Sequence, residues 1–170
     1  MRFKTGHIFL SLLSLLIFFR PAFCALEKFP QSRGAVNDYA GVIDASHAQT
    51  MENLSREVLQ KTGTSIVVAV MPSIGDNDVR DYTNSLYQAW GIGEKGKDKG
   101  VLIFLALKER KIRIETGYGV EGILPDGLVG EIIDQYMAPH LKQGQYGQGL
   151  TNGVVAVASV IAKDARVEPT

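Results

Sequence analysis

Residues 101–115 read VLIFLALKERKIRIE, and this stretch decides the fold class. Its first seven residues are apolar without interruption, which is typical of a strand buried on both faces. The next three residues are charged and predict a turn, and residues 111–115 alternate polar and apolar, as in a strand with one solvated face. The stretch therefore predicts an antiparallel hairpin that begins with a fully buried strand.

A second run of β-branched residues lies upstream of the hairpin. Residues 66–71, IVVAVM, predict another strand buried on both faces. Asp78 can cap a helix between the two buried strands, and this helix has apolar residues along one side. Because a helix joins these strands, we expect them to be parallel, with a right-handed crossover.

Helical spacing of apolar residues predicts three further helices, at residues 44–61, 125–137 and 148–163. Together with the strands they predict the α/β class. We expect a three-layer α/β/α sandwich in which about four helices flank a small mixed sheet. That sheet would combine the parallel crossover with the antiparallel hairpin.

The first residues predict an export signal. Residues 8–19, IFLSLLSLLIFF, are apolar, follow a short basic region, and are too few to span a bilayer comfortably. Small residues at Ala22 and Cys24 predict cleavage after Cys24, with Ala25 as the alternative. Two other interpretations remain open, namely an acylated Cys24 and an uncleaved membrane anchor.

Cleavage would divide the chain into a signal peptide (1–24), an extended segment (25–34), one domain (35–163) and a C-terminal tail (164–170). No second apolar run has the length of a membrane span, so we expect no permanent membrane anchor in the mature chain. The expected location is periplasmic or secreted.

Composition excludes several classes of function. The 18 basic and 18 acidic residues balance, which argues against nucleic-acid binding because nucleic-acid binders normally carry a basic excess. The single cysteine excludes a disulfide framework within the chain and a cysteine-rich zinc site.

Four acidic residues in predicted loops and helix starts are candidate metal ligands, namely Asp38, Asp98, Glu121 and Asp126. We expect Asp38 and Glu121 to meet Asp98 near one end of the sheet. Oxygen ligands on loops suit Ca²⁺ or Mg²⁺. The structural alternative is that Asp126 caps a helix, Asp98 caps a turn and Asp38 braces its own loop; the sequence favours neither.

Glycines 117, 119 and 122 have the GxGxxG spacing of dinucleotide-binding loops. The next helix begins several residues late, and no βαβ unit completes such a site. We therefore interpret these glycines as a turn that needs unusual backbone angles.

Several motifs together resemble the TPM domain, which thylakoid-lumen acid phosphatases share with many bacterial envelope proteins. They are VNDYAGV (36–42), WGIG (90–93), KDKGVL (97–102), RKIRIETGYGVEG (110–122) and LPD (124–126). The resemblance covers roughly residues 35–162. It implies a sheet sandwiched between helices, and it implies export.

The resemblance implies two alternative functions. The first is an exported accessory or interaction module of the cell envelope that binds Ca²⁺ or Mg²⁺ and has envelope or membrane-complex proteins as partners. Because tyrosine is enriched at interfaces, an exposed Tyr118 would be its interface anchor; the equal structural alternative is that the Tyr118 ring packs over the glycine loop. The alternative is a metal-assisted acid phosphatase acting on phosphomonoesters. Arginine is a bidentate phosphate donor, so Arg110 or Arg113 would clamp the phosphate; the structural alternative is that Arg113 occupies the solvated face of its strand. Since no nucleophile or general acid stands out, catalysis stays undecided.

Overall fold

The computed structural model describes residues 29–93 and 97–167, so the predicted signal peptide and the last residues of the tail lie outside the described residues. The strands are β1 (Val36–Asp38), β2 (Ser65–Met71), β3 (Gly100–Ala106) and β4 (Lys111–Thr116). The helices are α1 (Ala45–Thr62), α2 (Val79–Ala89), α3 (Tyr118–Glu121), α4 (Asp126–Ile132), a π-helical turn (Ile133–Met137), α5 (Ala138–Leu141) and α6 (Tyr146–Ala165).

The four strands form one mixed sheet in the order β1-β2-β3-β4. Strands β1, β2 and β3 are parallel, whereas β3 and β4 form the predicted antiparallel hairpin. Strand β1 was not predicted, because a three-residue strand is too short to show an apolar pattern. It pairs with only the second half of β2, from Val68 to Val70.

Alternation along the two central strands divides the core between the two faces of the sheet. On one face Ile66, Val68 and Val70 pack with helices α1 and α6 and the segment between α4 and α5. On the other face Val67, Ala69 and Met71 pack with α2. Helices cover both faces, so the predicted three-layer α/β/α sandwich is confirmed.

The placement of α1 and α2 on opposite faces has a consequence for handedness. Strand β2 lies between β1 and β3, and α1 joins β1 to β2 while α2 joins β2 to β3. Two right-handed crossovers running in one direction along a sheet would place both helices on the same face. The two connections therefore have opposite hands, and one departs from the usual right-handed rule.

Local signals set the ends of the first two long helices. The carboxylate of Asp44 accepts from the N–H groups of Ser46 and His47, and Asp78 caps α2 in the same way. Helix α1 ends at Gly63, whose φ of 72° is the left-handed conformation that favours glycine. These caps confirm the predicted helix starts.

The helix predicted at residues 125–137 continues further than expected. Helix α4 passes into the π-helical turn and then into α5, which ends at Leu141 after including Pro139. Proline has no N–H to donate and its ring crowds the carbonyl one turn earlier, so a regular α-helix would kink there. The π turn ends at Met137, so Pro139 falls in the first turn of the short helix α5, where a missing N–H is tolerated.

Within the described residues, none of the helices combines the length and the apolar character needed to cross a membrane.

Candidate functional site

Asp98 lies at the centre of a junction between two loops at the start of β3. Its carboxylate accepts hydrogen bonds from the hydroxyl of Tyr87, at 3.1 Å, and from the N–H of Tyr118, at 3.2 Å. Its carbonyl oxygen accepts from the N–H of Gly119, at 3.0 Å. We call residues 97–98 together with residues 117–119 the Asp98 junction.

Asp98 has an unusual backbone conformation. Its φ of 46° is in the left-handed region, which aspartate tolerates better than most residues. This conformation directs the carbonyl and the carboxylate of one residue to the same loop. Two of the three hydrogen bonds therefore join the segment before β3 to the turn after β4, and the third joins it to α2.

Glycine is required at positions 117 and 119 by close packing. A Cβ atom on Gly117 would overlap the carbonyl oxygen of Asp98 and the hydroxyl of Tyr87, and one on Gly119 would overlap the carbonyl oxygen of Lys97. Gly117, Gly119 and Gly122 are not among the positive-φ residues, so our expectation of unusual backbone angles here is wrong. The glycines leave room for the neighbouring loop.

Tyr87 on α2 contacts the Asp98 junction through its hydroxyl group. The sequence analysis did not identify this residue. Burial, and then the charge of Asp98 and its hydrogen bond, raise the pKa of the Tyr87 hydroxyl well above its ordinary value. The hydroxyl therefore stays protonated and donates to Asp98. Tyr87 lies on the buried face of α2 together with Thr83 and Leu86, and no local pattern in the sequence marks its hydrogen bond to Asp98.

Tyr118 is the most exposed large hydrophobic side chain of the described residues, with 83% of its surface accessible. Its backbone N–H is held by Asp98, so the exposed ring sits on an ordered turn. Glu121 is exposed on the same turn, and Asp126 is exposed as the first residue of α4, after the N-cap residue Pro125. An acidic residue at that position favours the helix through its dipole, without being the cap.

Asp38 lies at the opposite end of the sheet from Asp98. Asp38 is paired with Val70 on β2, whereas the N–H of Ser65 at the start of β2 bonds to the carbonyl of Lys99. At about 3.3 Å per residue, these points on β2 are roughly 16 Å apart. The expectation that Asp38 joins Asp98 at one end of the sheet is wrong, because β1 carries Asp38 to the carboxyl end.

The Asp38 carboxylate already has three backbone partners. It accepts from the N–H groups of Ala40, Gly41 and Ile43, at 3.0, 2.8 and 2.7 Å. Asp38 therefore braces its own loop, which is the structural alternative stated above. In residues 29–93 and 97–167 no three acidic, histidine or cysteine side chains form a group that could hold a metal ion.

The two predicted phosphate-binding residues lie apart. Arg113 bonds to Glu115 through its Nε and Nη2 atoms, both at 2.7 Å, on the α2 side of the sheet. Arg110 lies in the β3–β4 turn with a φ of 53° and lines a cavity of about 370 Å³ at the carboxyl end of β3. The five residue steps of β4, at about 3.4 Å each, separate Arg110 from the Asp98 junction.

Comparison with known proteins gives one family and several solved structures. The family model described as TPM domain matches residues 36–160. None of the curated proteins matches the chain. The N-terminal domain of a Porphyromonas gingivalis protein, solved by NMR, is 37% identical with a TM-score of 0.73, over 80% of this chain and 87% of that one.

Two more distant NMR structures share the fold. The N-terminal domain of a Corynebacterium glutamicum protein is 21% identical with a TM-score of 0.60, over 78% of this chain and 83% of that one. A protein from the psychrophilic bacterium Bizionia argentinensis is 21% identical with a TM-score of 0.61, over 71% of this chain and 82% of that one.

Proposed function

The chain belongs to the TPM domain family, and from this premise we propose that it is an exported accessory or interaction module of the cell envelope. The Asp98 junction would be its recognition surface, and a divalent cation would bind there. Export is proposed from the apolar run at residues 8–19.

The exposed and ordered Tyr118 is the observation that carries this proposal. Tyrosine is enriched in protein interfaces because its ring contributes a large contact area and its hydroxyl a hydrogen bond. The hydrogen bond from its backbone to Asp98 fixes the main chain that carries the ring before a partner binds. A partner would therefore meet an aromatic anchor on a preorganised backbone turn, which lowers the part of the entropic cost that comes from ordering the loop.

Cation binding at the same junction would use oxygen ligands. The Asp98 carboxylate accepts two hydrogen bonds, and a carboxylate has about four lone-pair sites, so acceptor capacity remains. The carbonyl oxygens of the two loops and the carboxylate of Glu121 are further ligands of the kind that Ca²⁺ and Mg²⁺ prefer. Asp126 stays a candidate ligand, whereas Asp38 at the far end of the sheet would not share this cation.

Calorimetric titration of Ca²⁺ and Mg²⁺ into the mature chain tests the cation. We expect binding to the wild type and its loss in Asp98→Asn, because the amide keeps the left-handed conformation but removes the charge. Asp76→Asn is the matched control, since Asp76 is exposed in the loop after β2. Absence of binding at millimolar concentrations of either ion would contradict the proposed site.

The partner surface is tested by crosslinking in envelope extracts with a photoreactive group at residue 122, which is exposed and has no neighbour near its missing Cβ. Tyr118→Ala should abolish the crosslinked product, and Tyr136→Ala, which removes another exposed tyrosine, should leave it unchanged. A product that survives Tyr118→Ala would place the interface elsewhere.

Phosphatase activity remains the alternative, because the matching family model carries the name TPM phosphatase. The geometry weighs against a joint site of Asp98 and the two arginines. Arg110 lies just before β4, whereas Asp98 contacts the turn after β4, and Arg113 is paired with Glu115. Metal-dependent hydrolysis of p-nitrophenyl phosphate that disappears in Asp98→Asn would support the alternative. Hydrolysis unaffected by that change would remove Asp98 from it.

A further inference from the structure

A cavity at the carboxyl end of β3 has no role in the proposed function. Its volume is about 370 Å³, and its apolar walls come from Leu105 on β3, Ile112 on β4, Ile133 in the π turn and Leu141 on α5. Ligand pockets are mostly apolar cavities of roughly 300–1,000 Å³, so this one is at the small end of the range.

Two of the four polar side chains at this cavity are cationic. Arg110 from the β3–β4 turn and Lys142 from the end of α5 line it, together with Asp134 and Tyr146. Among the described residues neither Arg110 nor Lys142 forms an ion pair. Two cations against the single carboxylate of Asp134 leave the lining with an excess of one positive charge.

Two features of the fold independently favour a binding site here. In open α/β sheets, ligands bind in the crevice outside the carboxyl ends of the parallel strands, and Leu105 and Leu107 belong to that end of β3. The wall is also built by the π turn, which supplies Ile133 and Asp134. Single π turns within helices occur frequently at functional sites.

We infer that this cavity binds a small amphiphilic anion, with its short apolar tail among Leu105, Ile112 and Leu141 and its anionic headgroup between Arg110 and Lys142. The apolar walls bury the tail, and the two cations bind the headgroup through charge-assisted hydrogen bonds. The small volume favours a short alkyl chain over a long acyl chain. This inference does not depend on cation binding or on a partner at the Asp98 junction.

The test is a titration of isotope-labelled protein followed by NMR, with octanoate as the probe and octan-1-ol as its uncharged match. Octanoate should give saturable shifts at Leu105, Ile112 and Leu141. Arg110→Gln and Lys142→Gln should each weaken its binding roughly tenfold, which corresponds to the loss of one charge-assisted hydrogen bond. Lys108→Gln, in the same turn as Arg110 but not lining the cavity, should bind as the wild type does.

The remaining outcomes decide the ligand class. Octyl phosphate that binds more tightly than octanoate would identify a phosphate monoester headgroup, and the reverse would identify a carboxylate; either supports an amphiphilic anion. Shifts confined to other residues, or octan-1-ol binding as tightly as octanoate, would overturn the inference. The spectra of the variants also report whether each is folded, so a loss of binding is separable from unfolding.

Discussion

Gly117 shows how a single residue can matter through the side chain that it lacks. Its φ of −77° and ψ of 160° are angles that any residue adopts. The restriction comes from the Asp98 carbonyl and the Tyr87 hydroxyl, which occupy the space that a Cβ atom would need. Because one of these neighbours is backbone, the loop has to move before an alanine can fit.

We therefore predict that Gly117→Ala destabilises the protein by about 2 kcal/mol, the usual size of an overpacking effect. Gly127→Ala is the control: Gly127 lies in α4 with no neighbour near its missing Cβ, so alanine should be neutral or stabilise by roughly 0.5–1 kcal/mol. Urea unfolding measures both. A wild-type midpoint for Gly117→Ala would show that the loops do not approach closely in solution.

The side chain of His47, which can be protonated, links the start of α1 to α6. His47 bonds through Nδ1 to the Asp44 carboxylate at 2.5 Å, and its Nε2 lies 3.4 Å from Oε1 of Gln148 on α6. The hydrogen bond to Asp44 raises the pKa of His47, and the same bond lowers the pKa of Asp44. The folded protein therefore holds the His47 proton more tightly than the unfolded chain does.

A raised histidine pKa predicts the direction of a pH effect. The stability that protonated His47 contributes should be fully present below its ordinary pKa of about 6.5 and lost as the pH rises through the higher folded value. The melting temperature of the wild type should thus exceed that of His47→Gln by more at about pH 5 than at about pH 9.

Asp44→Asn provides the control for this pair, because asparagine still caps the helix but carries no charge. In that background the pH dependence of the His47→Gln difference should disappear. If the melting temperatures of the wild type and His47→Gln differ equally at both pH values, protonation of His47 does not stabilise the folded protein.

At the scale of the whole molecule, stability depends on two apolar cores that share one sheet. Every residue of β3 is buried, and its alternate side chains enter the core on each side. The larger core includes Val154, Val157 and Ile161 of α6, which cross the sheet face beside α1. Packing of α6 therefore joins the last part of the chain to the first helix.

Neighbouring valines on α6 test that packing. Val154 is fully buried, whereas Val155 is 45% exposed. Val154→Ala should lower the free energy of unfolding by about 2 kcal/mol, from two lost methyl groups and the cavity that they leave. Val155→Ala should change it by less than about 0.5 kcal/mol, as measured in urea. Equal effects would contradict the observed orientation of α6.

Much of the fold could be predicted from the sequence, because its signals are local. Residues 101–115 form the β3–β4 hairpin as expected, and the Asp44, Gly63 and Asp78 signals mark real helix ends. The candidate site was predictable only in part. Asp98 and the glycine turn were identified because acidic residues and closely spaced glycines in loops can be recognised in the sequence. No pattern around Tyr87 indicates its hydrogen bond to Asp98.

The sequence by itself determined the family, the mixed sheet and the helices on both faces. Apolar runs, polar–apolar alternation and helix caps each depend on only a few neighbouring residues, so they can be recognised without the tertiary structure. Tertiary structure decided what depends on contacts between distant residues. Strand β1 exists because β2 offers it hydrogen bonds, and that pairing places Asp38 about 16 Å along the sheet from the start of β2. The Asp98 junction likewise forms only when the hairpin brings two loops together, because twenty residues separate Asp98 from Tyr118 along the chain.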